Sequence, residues 1–212
     1  MTMNDTHHDH AHPPNQDGPL THYQILESAV RELLIEKGVF TADDVRREVE
    51  KMDQRTPARG AKVVARAWTD PAYKERLLEN GTAACEELGL DMGQTYFLVA
   101  VENTESVHNV IVCTLCSCYP RNLIGLPPDW YKSRAYRTRV VREPREVLKE
   151  FGLELPESTT IRVHDSTADM RYMVLPRRPE GTEGMSEEEL AATVTRDCMI
   201  GVAAPTAEPV TT

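Results

Sequence analysis

No run of apolar residues in this 212-residue chain approaches the length of a membrane span, so no transmembrane helix is expected. The first twenty residues lack the apolar core of a secretory signal, and the expected compartment is the cytoplasm. Basic residues are in short supply: Lys and Arg number 24 against 34 Asp and Glu, for a formal charge of -10. Without a basic face the chain has no means of releasing counterions from nucleic acid, and it would be repelled by an anionic membrane surface. Cysteines are few and odd in number, five in all. Three of them fall within six residues, too close together for an ordinary disulfide framework. What remains is the composition of an ordinary globular protein, 40% hydrophobic and 27% charged.

Residues 1–20 are polar and carry no apolar period, which predicts a disordered tail. Its "HHDHAH" (His7–His12) is read as a solvated tract with incidental metal affinity, and a role in storing or delivering cobalt or nickel is the alternative. From Thr21 a helical period begins, with Tyr23, Leu26, Val30, Leu33 and Leu34 on one face, ended by Gly38. Thr41 and Asp44 predict a capping box for a charged helix to about Met52. A short helix is expected at Ala61–Thr69. Another should open at Asp70-Pro71 and run to Leu88, where Gly89 stops it. These helices hold few large apolar residues, so residues 21–90 are read as an arm that needs a partner.

Residues 91–205 are read as the second region and 206–212 as a frayed tail. "TYFLVAVEN" and "VHNVIVC" predict strands. "TTIRVHD" and "RYMVLP" are expected to pair with each other through "STADM", and "CMIGVAA" to form a last strand. Helices are expected from Pro128, within "EPREVLKEFG", and from a Ser186–Glu189 capping box to Arg196. The order predicts an α+β fold with two sheets between helical layers. Cys85 and Cys198 have apolar neighbours and are read as buried structural thiols, on a helix and a strand respectively.

The stretch "CTLCSC" (Cys113–Cys118) is the candidate site. Zinc takes four ligands, commonly from paired Cys-x-x-Cys knuckles. Here the fourth would have to be His108, His164, Cys85 or Cys198, none at a recognisable spacing. Iron–sulfur clusters need four cysteines. A thioredoxin-like pair leaves Cys118 unexplained. The remaining reading uses all three sulfurs of Cys113, Cys116 and Cys118 and adds the backbone nitrogens of Ser117 and Cys118. That makes five ligands of an octahedron with the sixth open, suited to a soft-ligand transition metal. A structural zinc module without catalysis stands as the alternative of another class.

The loop resembles the metal-binding claw of nitrile hydratase α subunits. "LPPDWYKS", "YRTRVVREPREVL", "RYMVLPRRPEGTEG" and "VTRDCMIGVA" are similar to that family too, so the likeness covers roughly Thr21 to Pro205. The resemblance implies a four-layer α-β-β-α domain preceded by an N-terminal helical arm that embraces a β subunit. It implies a cobalt(III) centre rather than iron, because Thr114 stands where iron members carry Ser. It also implies Cys116 as sulfinate and Cys118 as sulfenate, with arginines of the β subunit bonding to them, and a cobalt-delivery activator protein as a further partner. The implied reaction is hydration of a nitrile to its amide, with Cys118 and a pocket glutamine, Gln94, as catalytic residues. A plain turn-ending role for Gln94 is the alternative.

The sequence departs from the family after "CYP", where many members carry Trp and this chain has Arg121. An arginine lining the pocket would suit polar or anionic substrates; an ion-pair role at the subunit interface is the other reading. "CYPR" and the His/Asp-rich start also resemble the γ subunit of thiocyanate hydrolase, which stands as the runner-up.

Overall fold

A computed structural model of the chain describes residues 21–93 and 96–208. The His-rich tract, Gln94 and the last four residues lie outside the described residues. In chain order the elements are α1 (His22–Glu36), α2 (Ala42–Asp53), α3 (Pro57–Thr69), α4 (Pro71–Glu79), α5 (Gly81–Glu87), β1 (Phe97–Glu102), β2 (Val107–Val112), α6 (Arg121–Ile124), α7 (Asp129–Lys132), α8 (Arg134–Arg142), α9 (Pro144–Glu150), β3 (Thr160–Asp165), β4 (Met170–Leu175), α10 (Glu187–Ala192) and α11 (Arg196–Ile200).

The chain divides into two compact units, one up to Glu50 and one from Lys51 onward. In the first, Thr21 and Gln24 form a capping box at the start of α1. Thr41 and Asp44 make the expected reciprocal bonds at α2: Asp44 N–H donates to Thr41 Oγ1 at 3.1 Å, and Thr41 N–H donates to Asp44 Oδ2 at 2.8 Å. Neither helix has a buried residue. The apolar face of α1 stands open, with Tyr23 79% exposed. Helices α3 to α5 differ: Val63, Val64, Tyr73, Leu77 and Cys85 belong to the core of the second unit. The 21–90 segment read as one arm thus contains helices of two kinds.

The second unit is built on two short parallel sheets, β1 with β4 and β2 with β3. α4 and α5 pack on β1, β2 touches both β1 and β4, and α9 packs on β3. This is the α+β, helix–sheet–sheet–helix order expected. The pairing within it corrects the expectation for β3 and β4. They do not pair with each other, although only four residues separate them. Ser166 N–H donates to Val112 O at 2.7 Å, continuing the β2–β3 ladder, and Phe97 N–H donates to Asp169 O at 2.8 Å, starting the β1–β4 ladder. The link therefore steps from one sheet to the other. The link between β1 and β2 does the same, with Asn103 N–H on Leu175 O (2.9 Å) at one end and Thr160 N–H on Ser106 O (2.8 Å) at the other. Turn chemistry and alternation cannot distinguish such a step from a hairpin.

Four helix boundaries also differ. α3 starts at Pro57 rather than Ala61, because a proline suits the first helical turn, and Gly60 is carried inside it. Asn80 breaks the helix expected to reach Leu88, because its side chain accepts from Ala83 N–H (3.0 Å) and starts α5. Ser133 splits the helix after Pro128 by capping Tyr136 N–H at 3.1 Å. The Ser186–Glu189 box is formed, but its helix ends at Ala192. "CMIGVAA" is not a strand. Thr195 caps α11 through Cys198 N–H (3.3 Å), and Gly201 ends it at φ +93°. A short apolar run buried all round carries no period that separates helix from strand. Cys85 and Cys198 are buried free thiols as expected, but Cys198 is helical.

Candidate metal centre

Strand β2 delivers the cysteine loop. Val110, Ile111 and Val112 are fully buried, and Cys113 at the strand's end is buried with them. The loop then rises out of the core. Cys116 is exposed, Ser117 and Cys118 are half-buried, and Tyr119 takes the chain back inside. Leu115 turns outward, 87% exposed.

The three sulfurs converge. Cys113 Sγ lies 3.5 Å from Cys116 Sγ, which lies 3.4 Å from Cys118 Sγ, and all three fall within 4.8 Å of one another. Two sulfurs bound at right angles to one ion at about 2.3 Å stand about 3.3 Å apart, so these separations suit a shared metal. Cys116 N–H donates to Cys113 Sγ at 3.3 Å, and the backbone N–H groups of Ser117 and Cys118 face Cys116 Sγ. The three sulfurs expected to share a metal, those of Cys113, Cys116 and Cys118, are therefore gathered at one point of the loop, and the Ser117 and Cys118 amides adjoin Cys116. Among the described residues, His108, His164, Cys85 and Cys198 do not join the cluster. A soft set with three sulfurs fits a transition metal and not magnesium or calcium.

Without a metal the thiols are unequal. Hydrogen bonds from the Cys118 and Cys113 thiols, with help from the Ser117 amide, lower the pKa of Cys116. Burial, then the bonds with Cys116 and Cys113, push Cys118 up to about 12. Hydrogen bonding thus favours the thiolate at Cys116, whereas burial disfavours it at Cys118.

Side chains far away in sequence hold the loop. Asp165, at the end of β3, accepts from Thr114 N–H (2.9 Å) and Thr114 Oγ1 (2.5 Å). Arg137 of α8 donates to the carbonyls of Leu115 (3.0 Å) and Thr114 (3.3 Å). Tyr131 Oη donates to Cys118 O at 2.9 Å, and Tyr136 Oη donates to Ile111 O at 2.7 Å. Arg171 of β4 stacks over Tyr96 at 5.0 Å, and its charge favours the Cys118 thiolate. Sequence reasoning found none of these five supports. Arg137 lay in a family-like stretch, but nothing in its spacing pointed to the loop.

Arg121 is the first residue of α6, three positions after Cys118. Its side chain is exposed and makes no ion pair among the described residues. Gln94 lies outside the described residues.

The family model described as nitrile hydratase, alpha chain, matches residues 21–203. A nitrile hydratase subunit alpha from a Rhodococcus species is 54% identical over 89% of this chain and 94% of its own length. The cobalt-containing nitrile hydratase subunit alpha of Pseudonocardia thermophila is 55% identical over 82% of this chain and 86% of its own. Among solved structures, a recombinant thiocyanate hydrolase with partially modified cobalt centres matches with a TM-score of 0.83 at 44% identity, covering 92% of this chain and 98% of that one. An Fe-type nitrile hydratase of Comamonas testosteroni, a double mutant, matches with a TM-score of 0.82 at 47% identity, covering 90% and 94%. A three-sulfur claw at the end of a buried strand, inside a match that runs from the first described helix to the last, places this chain in the nitrile hydratase alpha chain family, a family of enzyme subunits.

Proposed function

We propose that this chain is the metal-holding α subunit of a cobalt-dependent nitrile hydratase, catalysing R-C≡N + H₂O → R-C(O)NH₂. The convergence of the sulfurs of Cys113, Cys116 and Cys118 carries the reading. The cobalt-containing relative and Thr114, where the resemblance puts Ser in iron members, favour cobalt(III) over iron. When bound, the metal supplies a Lewis acid that polarises the nitrile and makes its carbon electrophilic.

The chain's own residues do the rest. Cys113, Cys116 and Cys118 ligate through sulfur, and Ser117 and Cys118 through deprotonated backbone nitrogen. Cys116 is carried as sulfinate and Cys118 as sulfenate, steps on the thiol oxidation ladder. Oxygenation reduces donation from two strong ligands, which keeps the centre acidic. The Cys118 sulfenate oxygen attacks the nitrile carbon or takes a proton from the water that does. Gln94 is assigned to the pocket. Tyr131 and Asp165 hold the loop so that these groups keep their places.

A β-type subunit is the proposed partner of α1 and α2, whose apolar side chains are exposed. Arginines from that partner would bond to the oxidised cysteines, and an activator protein would deliver cobalt. No helix among the described residues is long and apolar enough to cross a membrane. The free thiols Cys85 and Cys198 suit the reducing cytoplasm. Thiocyanate hydrolysis is the second reading, favoured by the exposed, unpaired Arg121 near the claw. Metal analysis of the complex with its partner, followed by kinetics on nitriles and thiocyanate, tests both. Stoichiometric zinc in active enzyme would overturn the cobalt assignment, and stoichiometric zinc in a complex that turns over neither nitriles nor thiocyanate would restore the structural zinc module.

A further inference from the structure

The Leu115 carbonyl and the Cys116 N–H belong to one peptide unit, and in a trans peptide they point in opposite directions. Here both ends are engaged. The carbonyl accepts from Arg137 Nη1 at 3.0 Å, while the N–H donates to Cys113 Sγ at 3.3 Å. One peptide dipole therefore has a guanidinium at its oxygen and a ligating sulfur at its hydrogen. A cation on the oxygen polarises the unit and strengthens the N–H···S bond. A hydrogen bond to a ligating sulfur draws electron density from it and tunes the metal it binds. Arg137 is aimed at this task. Among the described residues no carboxylate pairs with it, and its Nε is buried without a partner. Leaving that N–H unpaired costs free energy, so the bonds from Nη1 to the two loop carbonyls are what the burial of the guanidinium obtains in return.

We propose that Arg137 is a positioning residue: through the Leu115–Cys116 peptide it sets the hydrogen bond to Cys113 Sγ, and with it the electron donation of the one claw sulfur that stays unoxidised. The inference rests on the claw holding the metal as proposed above. It differs from a general support of the fold because it specifies one sulfur and one peptide.

The test compares wild type, Arg137→Gln and Arg137→Lys, each as the cobalt-loaded complex with its partner and each as the metal-free chain. In the loaded complex, Arg137→Gln should move the sulfur-to-cobalt charge-transfer absorption and lower kcat about ten-fold. KM should change by less than about two-fold, because the substrate's own contacts are untouched. Arg137→Lys, which keeps the charge but reaches one carbonyl, should recover part of both effects. In the metal-free chain, amide exchange within residues 113–118 should accelerate in Arg137→Gln while the core strands keep their protection. An unshifted absorption with unchanged exchange would overturn the proposal. So would faster exchange throughout the chain in both variants, which would make Arg137 a fold residue only. A wild-type complex that hydrates no nitrile would remove the proposed function, but the absorption and exchange would still give the answer for Arg137.

Discussion

Asp165 and Thr114 are joined twice, although they stand 51 residues apart: one carboxylate accepts both the Thr114 amide and its hydroxyl. A carboxylate can accept at both oxygens, whereas an amide side chain offers only one acceptor and would turn an NH₂ towards one of Thr114's donors. Asp165→Asn should therefore loosen the loop and reduce cobalt retention by about 10–100-fold, while Thr114→Ser, which keeps both donors, should stay close to wild type. Cobalt per chain after dialysis against a graded chelator measures this. Equal retention in Asp165→Asn and wild type would show that the pair does not govern the site.

Gly201 ends α11 at φ +93°, and a Cβ there would stand 2.1 Å from Asn109 O. Backbone cannot move aside as a side chain can. The left-handed conformation and the clash together should make Gly201→Ala cost about 3 kcal/mol or more. At Gly60 in α3 the Cβ would meet Met199 Sδ and Ile124 Cγ2, at 2.5 and 2.6 Å. Those side chains can give, and alanine gains helix propensity, so Gly60→Ala should cost about 1 kcal/mol. Urea unfolding should rank the two in that order, and the reverse ranking would refute the argument.

His108 donates through Nε2 to Gly201 O at 2.8 Å, and its Nδ1 accepts from Asn103 Nδ2 at 3.2 Å. Burial lowers its pKa, and burial, then the Arg162 charge, lowers that of His164. The folded chain thus binds these protons less readily than the unfolded chain does. Their contribution is complete above the unfolded imidazole pKa of about 6.5 and is lost as pH falls below it. Melting temperature should fall between pH 7 and 5, and His108→Gln should flatten that slope while lowering stability at pH 7. Parallel slopes in the two proteins would clear His108 of the effect.

If Cys116 and Cys118 are sulfinate and sulfenate, the peptide carrying Cys113–Cys118 should gain about 48 Da over its three thiols. Mass spectrometry of active, cobalt-loaded enzyme reads this directly. Three unmodified thiols in fully active material would remove the oxidised claw from the mechanism.

If Arg121 lines the pocket proposed above, its guanidinium attracts anions and hydrogen-bonding groups and gains little from an alkyl chain. Thiocyanate or a polar heteroaromatic nitrile should show higher kcat/KM than acrylonitrile, and Arg121→Trp should shift the preference towards acrylonitrile. An unchanged ranking would move Arg121 from the pocket to the subunit interface.

The sulfur cluster was legible in the sequence because its spacing is local: six consecutive residues carry all three sulfurs. Capping boxes at Thr41 and Ser186 were legible for the same reason, since each closes within three residues. Asp165, Arg137 and Tyr131 were not. Each reaches the loop from a separate element, and no pattern along the chain records which element will arrive there. The sheet pairing was hidden too, because a four-residue link serves a hairpin or a step between sheets equally well. Cys198 shows the third limit: the apolar run around it announced burial but not whether helix or strand would provide it.

The parallel pairing of β2 with β3 also orders events in time. Synthesis completes the sulfurs well before Asp165 exists, so a nascent chain displays three bare thiols with nothing to hold Thr114. Contacts this distant in sequence close slowly. The cysteine loop therefore acquires its Asp165 support only after the second half of the domain has emerged and folded back, and metal insertion should follow the ribosome rather than accompany it.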